Sequence, residues 1–292
     1  MKKISFFSII NYLFLSCAAL TVIIPFMYII SVSVTPANVL HELGSFPLFP
    51  RAVSFEAYKM ALELPQVPRA FLNSVFVTVV GTVLNLLLTV LVAYPLSKLH
   101  LKGRNFFLLF IVFTMLFGGG MIPTYLIVKS FGLINSLWAL IVPTVISAFN
   151  MLIVKQFFES VPKELEESSV IDGANDSQVL WNIYLPVSLP VFAAVGLFYA
   201  VSHWNELFQS ILYINHANKW PLQVVLYHLL NTATAMTNLS AAGESFLTPD
   251  KQYHPESLRM ALVIIVTLPM VILYPFVQKH FVKGMLTGSI KG

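Results

Sequence analysis

Hydrophobic and polar positions alternate along this chain in long blocks rather than residue by residue. Six stretches, at about 9–31, 70–96, 106–128, 137–156, 188–213 and 258–281, are almost wholly apolar. Each reaches the ~20 residues that a helix needs to cross the hydrocarbon core of a bilayer. The pattern predicts an all-α polytopic membrane bundle of six transmembrane helices. Pro25, Pro123, Pro143, Pro269 and Pro275 lie within these stretches. In a soluble helix each would be a break, but in a bundle neighbouring helices satisfy the freed carbonyls, so they predict kinks. Outside the spans, Phe55, Tyr58, Met60, Ala61, Leu62 and Leu64 around Lys59 and Glu63 predict a short surface helix. Residues 221–231 predict a second one, entering at Pro221 and followed by a polar stretch to Pro255. Such helices either cap a bundle or offer a docking face to an external partner.

One block breaks the rule. Between the fourth and fifth apolar stretches, residues 155–176 carry eight Asp, Glu and Lys side chains. Ser160-Val161-Pro162 reads as a helix start, a capping hydroxyl followed by a proline whose missing N–H costs nothing. Glu164, Glu166 and Glu167 follow near the positive end of that helix, where acids are favoured. Asp172-Gly173 supplies a stop, because glycine tolerates a left-handed turn. Asn175 or Asp176 can cap a second helix over 177–183 that ends toward Pro186. The product is helix, sharp turn, helix, lying on a membrane surface where a soluble partner can grip it. The alternative is an ordinary re-entry loop, which needs neither this length nor a glycine at the bend.

Composition narrows the class. The chain is 57% hydrophobic and 10% charged, with mean hydropathy +0.80, against roughly a quarter charged residues in soluble domains. Cys17 is the single cysteine, so no disulfide framework exists. The net charge of +4 implies no nucleic-acid partner, since basic residues flanking spans are topology signals. Lys2 and Lys3 before an apolar run imitate a signal peptide. That run continues to about Val34, and Phe14-Leu15-Ser16-Cys17 makes a poor lipoprotein box, so an uncleaved first span is expected.

The link from Pro95 to Asn105 holds Lys98, His100, Lys102 and Arg104 with no acid. With Lys2, Lys3, Lys279 and Lys283 it places the link and both termini in the cytoplasm. Alternation then puts ten Lys and Arg inside against seven outside. The expected organisation is a first helix (1–34), an external loop with its surface helix (35–69), and a five-helix core (70–284). That core carries a cytoplasmic segment (157–187) and an external loop (214–257), and a cytoplasmic tail (285–292) follows.

The polar block also carries a resemblance. Glu167-Ser168-Ser169, three residues, Gly173, nine residues and Ile183-Tyr184-Leu185-Pro186 resembles the EAA signature of ABC-importer permeases, with serine for both alanines. Residues 161–167 and Ile171-Asp172-Gly173-Ala174 are similar to the sugar-importer branch. So are Phe71-Leu72-Asn73-Ser74, Ala93-Tyr94-Pro95-Leu96-Ser97, Gly132-Leu133-Ile134-Asn135-Ser136 and Trp204-Asn205-Glu206, in the expected order. Together they cover about 68–284, and residues 274–292 resemble permeases for complex oligosaccharides or polysaccharide fragments.

The resemblance implies a type I ABC-importer permease in a bacterial cytoplasmic membrane, contacting lipid. Its partners would be a second, related permease, two cytoplasmic ATPase subunits and an external solute-binding protein. The 164–173 helix would enter a cleft on one ATPase. Glu164, Glu166, Glu167, Ser168, Ser169, Asp172, Gly173, Ala174, Leu185 and Pro186 would form the coupling element. Glu167 would make the charged contact and Gly173 would allow the bend. No cofactor would bind directly, with ATP and Mg on the partner ATPase. In agreement, the chain has no phosphate-binding Gly-x-x-x-x-Gly-Lys motif, because Gly118-Gly119-Gly120 is followed by Met121. His41-Glu42-Leu43-Gly44-Ser45 begins like a zinc-protease motif but has Ser where the second His is required.

Polar groups inside spans are expensive and tend to face a cavity or a partner. On a continuous fifth helix, Ser202, Asn205, Glu206 and Gln209 share one face with Trp204 and Phe208 beside it. Amides and acids there would bond sugar hydroxyls while aromatic rings stack on sugar faces. Interhelical bonding to the partner permease is the alternative. In the second span Asn73, Thr78, Asn85 and Thr89 line a pathway or glue helices, and Gly81 permits close approach. Lys129, His228 and Arg259 near span ends are expected to snorkel. Two other classes compete with an importer subunit. An ion-coupled secondary carrier would show internal repeats and several mid-membrane ionisable groups, and an intramembrane enzyme would need a metal or nucleophile constellation. Neither pattern is clear in this sequence.

Overall fold

The structure, a computed structural model, describes residues 6–40, 46–241 and 255–288. The expectations for Lys2 and Lys3, for 41–45, for 242–254 within the polar stretch, and for 289–292 of the tail lie outside the described residues. Among those described, all regular structure is helical. In chain order the helices are α1 (Phe6–Val34), α2 (Ala37–Leu40), α3 (Glu56–Glu63), α4 (Gln66–Ser97) and α5 (Arg104–Leu116). Next come α6 (Met121–Ser130), α7 (Ala148–Ser160), α8 (Lys163–Ile171), α9 (Asp176–Val179) and α10 (Leu185–Val187). The series closes with α11 (Leu189–Trp204), α12 (Phe208–Tyr213), α13 (Leu222–Ala241) and α14 (Pro255–Gly288).

Among the described residues, three helices are long and apolar enough to cross a membrane: 7–34, 66–97 and 256–275. Three bent pairs supply the other expected crossings. They are α5 with α6 at 113°, Leu137–Thr144 with α7 at 50°, and Asp176–Val187 with α11 at 80°. The third, fourth and fifth apolar stretches are therefore not single helices: they are interrupted at 117–120, 145–147 and 205–207. The third breaks at Gly118-Gly119-Gly120, where Gly120 takes φ +84°, and not at Pro123, which sits harmlessly in the first turn of α6. Pro25, Pro269 and Pro275 lie inside unbroken helices, whereas Pro143 lies in the 3-10 turn Val142–Thr144 before the bend. The polar stretch expected from Thr232 is helical through Ala241.

The chain divides into two compact units, 1–68 with 225–269 and 69–224 with 270–292. In the first, α3 packs against α1, as the amphipathic reading of 55–64 predicts. Ala61 is fully buried there, and the Tyr58 hydroxyl pairs with Ser33 Oγ at 2.8 Å. Tyr28 donates to Glu256 at 2.6 Å and stacks on Phe46, while Ser257 donates to the Thr35 carbonyl. Most of α1 leaves Phe, Leu and Ile side chains uncovered within the chain, a surface suited to lipid or another subunit.

In the second unit, α7 packs between α5 and α11. One core gathers Tyr94, Met151, Val154, Phe158, Leu180, Tyr184 and Val195, with Tyr94, Phe158 and Tyr184 meeting edge to face. A second gathers Val77, Val128, Leu140, Ile141 and Tyr213. Asn135 stands at φ +60°, a conformation that Asn adopts more readily than most residues. Its Oδ1 accepts from the Asn215 and His216 amides, and its own N–H donates to the Tyr213 carbonyl at 2.8 Å. The 132–136 turn thereby fixes the start of the chain after α12.

Candidate functional site

The polar block folds as its punctuation predicts, with one correction at the entrance. Ser160 is the last residue of α7, and its hydroxyl bonds back to the Phe157 carbonyl. It therefore caps nothing, and Pro162 occupies the cap position of α8 without a side-chain bond. Glu164 and Glu166 lie in the first turn. The helix ends as expected at Asp172-Gly173. Gly173 takes φ +87°, its N–H donates to Val170 O, and Ala174 N–H donates to Ser169 O at 2.9 Å. That pair of bonds is the Schellman closure, which requires a left-handed residue at the glycine position. Ser168 and Ser169 turn their hydroxyls back onto the Leu165 carbonyl at 3.1 and 3.2 Å, so each serine hydroxyl is engaged within its own helix.

Asn175 then caps α9 in a reciprocal capping box with Gln178. The second helix does not stop near residue 183. It continues through a π-turn at Leu180–Tyr184 into α10, where Leu185 and Pro186 lie before the 80° bend into α11.

The acids of α8 divide into two groups. Glu166 turns inward, where Lys98 Nζ donates to its Oε1 at 2.7 Å and the Tyr184 hydroxyl donates to its Oε2 at 2.7 Å. Lys98 also donates to the Tyr184 hydroxyl at 3.1 Å, and lies 4.5 and 4.2 Å from the ring centroids of Tyr94 and Tyr184. Charge pairing and cation–π attraction hold the same ammonium. Burial, the largest single influence, pushes the Glu166 carboxyl upward. Hydrogen bonds from Lys98 and Tyr184, with the charges of Lys98 and His100, together pull harder and leave it below the ordinary carboxylate value. Glu159 is held similarly by Arg104 and by Lys155 at 2.7 Å, while Arg104 Nε donates to the Leu96 carbonyl.

Glu164 and Glu167 instead face outward, as do Leu165, Val170 and Ile171, the last 85% exposed. Beside them lies a cleft of about 810 Å³ whose lining includes Lys98, His100, Lys163, Glu166 and Glu167. Uncovered branched aliphatics inside an acidic rim form an exposed apolar patch of the kind that marks interaction surfaces. Lys98 and Tyr184 were not legible as members of this site. They stand 86 residues apart, and no periodic signal joins them.

The second predicted constellation is not one helical face, because α11 ends at Trp204 and α12 begins at Phe208. Trp204 is buried and meets Phe71 edge-on at 6.0 Å. Glu206 Oε1 accepts the Gln209 N–H at 2.9 Å, so it acts as a cap for α12. Asn205 is exposed, and its Oδ1 accepts from Gln223 at 3.1 Å. Gln209 is half-buried with Oε1 unpartnered. Asn73 spends its amide on the Asn218 and Trp220 carbonyls at 3.2 and 3.0 Å, which is helix-to-loop fastening. Gly81 allows the close approach expected of it, since a Cβ there would stand 2.5 Å from His203 Nε2.

Residues 101–287 match the family described as "Binding-protein-dependent transport system inner membrane component". The chain belongs to this family. The permease is 47% identical to "Protein LplC" of Bacillus subtilis (strain 168) over 98% of this chain and 95% of that one. It is 43% identical to "Polygalacturonan/rhamnogalacturonan transport system permease protein YtcP" of the same organism, over 98% of both chains. Its structure superimposes with a TM-score of 0.85 on a chain of a bacterial ABC transporter for import of the acidic polysaccharide alginate. That pair is 31% identical and covers 96% of this chain and 98% of the other. The fold is thus the type I permease fold, and the permease is a transport subunit whose ATPase is a separate polypeptide. Membership displaces both the secondary-carrier and the enzyme readings.

Proposed function

We propose that this permease forms half of the membrane pathway of an ATP-driven importer of oligosaccharides, including fragments of acidic polysaccharides. Residues 164–186 couple closure of a cytoplasmic ATPase pair to alternating access. The observation that carries the reading is the division of α8. Glu166 is locked to Lys98 and Tyr184 inside the subunit, while Glu164, Glu167 and Ile171 are presented outward. One face holds the helix to its own subunit and the other is free for an ATPase, so a push on α8 is delivered to α4 and the π-turn. A partner shifts such a two-state element only through contacts that differ between its states. The sugar class rests on the relatives named for polygalacturonan, rhamnogalacturonan and alginate.

In this arrangement both termini, the 98–104 link and 157–187 are cytoplasmic, as the basic residues of the link require. A second permease completes the pathway, a solute-binding protein delivers sugar from outside, and ATP with Mg²⁺ binds the ATPase subunits. The test is copurification of the tagged permease with an ATPase, followed by uptake of a radiolabelled galacturonate oligomer. Vanadate-sensitive uptake is expected. Uptake that persists without ATP and follows an ion gradient would sink the proposal.

A further inference from the structure

The fourth apolar stretch leaves helical geometry between Leu137–Thr144 and Ala148–Ser160. Backbone freed in the middle of an apolar span is tolerated where protein covers it or where it lines a polar cavity. Here both occur. The Tyr199 hydroxyl accepts the Ser147 N–H at 3.1 Å and pairs with Thr89 at 2.8 Å, while Asn85 Nδ2 donates to the Thr144 carbonyl at 3.3 Å. Beside this stitching lies a cavity of about 400 Å³, lined in part by Asn85, Ser147, Asn150, Ser202 and His203.

Three of these side chains belong to residues more than nine-tenths buried: Asn85 at 1% exposure, Asn150 at 6% and His203 at 7%. Asn85 Oδ1 and His203 Nε2 have no hydrogen-bond partner. The Asn150 side-chain amide has none among the described residues either; only its backbone N–H is engaged, by Ser147 Oγ. Burying one such group unpaired costs roughly 1–3 kcal/mol. Two such groups in the lining of one cavity, with the unbonded Asn150 amide beside them, read as a site awaiting a ligand with hydroxyls, and the volume falls within the roughly 300–1,000 Å³ of small-molecule sites.

We propose that this cavity, and not the Trp204–Gln209 stretch, is where the permease contacts sugar hydroxyls during transport. Its lining offers amides, hydroxyls and an imidazole, with Phe198 and Tyr199 as aromatic surface, and no carboxylate, lysine or arginine. That chemistry suits the neutral, hydroxyl-bearing part of a ring; a carboxylate would call for a cationic fork. Gly81 keeps the His203 ring against α4, so the floor of the cavity is set by a glycine contact. The proposal rests on the importer reading.

The test uses the complete importer in liposomes: both permeases, the ATPases and the binding protein. Asn150→Leu and Ser202→Val should cut initial uptake of a radiolabelled galacturonate trimer at least tenfold. Binding-protein-stimulated ATP hydrolysis should stay within twofold of the unmodified importer. Unchanged uptake overturns the contact role, and proportional loss of both activities overturns it in favour of packing. A second arm needs no transported sugar. Asn150→Cys and Ser202→Cys, in a Cys17→Ser background, should react with a small water-soluble methanethiosulfonate at rates that differ at least threefold between the nucleotide-free and vanadate-trapped states. No labelling in either state overturns the proposal. Absence of stimulated hydrolysis in the unmodified importer would instead sink the importer reading itself.

Discussion

Two polar regions interrupt this apolar chain, and they handle polarity in opposite ways. In the 163–187 segment polar groups are paired within the subunit: Glu166 inward with Lys98 and Tyr184, and at the surface Asn175 with Gln178 and both serines with the Leu165 carbonyl. Its outward groups stand ready for a protein. Around the 145–147 bend the reverse holds, with Asn85, Asn150 and His203 buried and incompletely bonded. Internal satisfaction suits the coupling role proposed for the first region, because slack would absorb the motion. Unmet bonding capacity suits the solute contact proposed for the second, because full satisfaction would leave nothing to offer.

The sharpest way to break this contrast is at Gly173. Gly173→Asp and Glu167→Lys should abolish uptake while leaving the permease inserted, read by transport alongside membrane quantification. Backbone geometry and the proposed close approach of the ATPase can be separated at this glycine. A side chain at its φ costs about 1–2 kcal/mol, yet a Cβ there meets nothing within 4 Å. Gly173→Asn tolerates the left-handed turn, so loss of uptake in that variant isolates close approach by the ATPase. Normal uptake would assign the glycine to backbone geometry alone.

Lys98→Met comes next, with uptake expected to fall about tenfold, since removing one partner of a charge-assisted pair costs roughly 1.5–3 kcal/mol. The Lys98→Glu/Glu166→Lys exchange should recover most of it; failure of the exchange would deny the pair its positioning role. The pH dependence follows from the lowered Glu166 value. The clasp is intact above the ordinary carboxylate range and is lost as pH falls through the lower folded-state value. Tyr184→Phe removes one of the bonds that lower it, so coupling in that variant should fail at a higher pH, measured as stimulated hydrolysis across an acid series.

On the other side of the contrast, Gly81→Ala should destabilise the permease by about 1–3 kcal/mol through overpacking against His203. Thermal unfolding in detergent would read this, and adding His203→Ala should recover part of the loss. The smallest effect belongs to Glu206. Glu206→Ala should cost about 1 kcal/mol as a lost cap, while Glu206→Gln keeps an acceptor and should stay within about 0.5 kcal/mol. A severe transport defect in Glu206→Gln with unchanged stability would return this residue to the solute pathway.

What the sequence disclosed follows the same division. Helix starts, stops and caps are written in neighbouring residues, so the Asp172-Gly173 stop and the Asn175 cap were legible. Long apolar blocks likewise announced the spans. Breaks were harder. Pro25, Pro269 and Pro275 sit in unbroken helices, while three consecutive glycines at 118–120 produced a 113° bend. A proline can be accommodated when its neighbours complete the bonding, whereas glycines remove the stiffness that keeps a helix going. The shared face expected across 202–209 failed because helical periodicity was carried past a stop at Trp204 that has no strong local signal. The Lys98–Glu166–Tyr184 clasp and the cavity at the bend are assembled from segments dozens of residues apart, and only tertiary packing brings them together.

The way Lys98 is held has a practical consequence. Its amine is covered by a carboxylate, a phenol and two ring faces, so it should resist acylation by reagents that modify free lysines such as Lys163 on the same rim. Any step of the transport cycle that lifts α8 would uncover it. The ratio of label on residue 98 to label on residue 163, read by mass spectrometry, would then serve as a built-in clock for the proposed engagement and release of an ATPase.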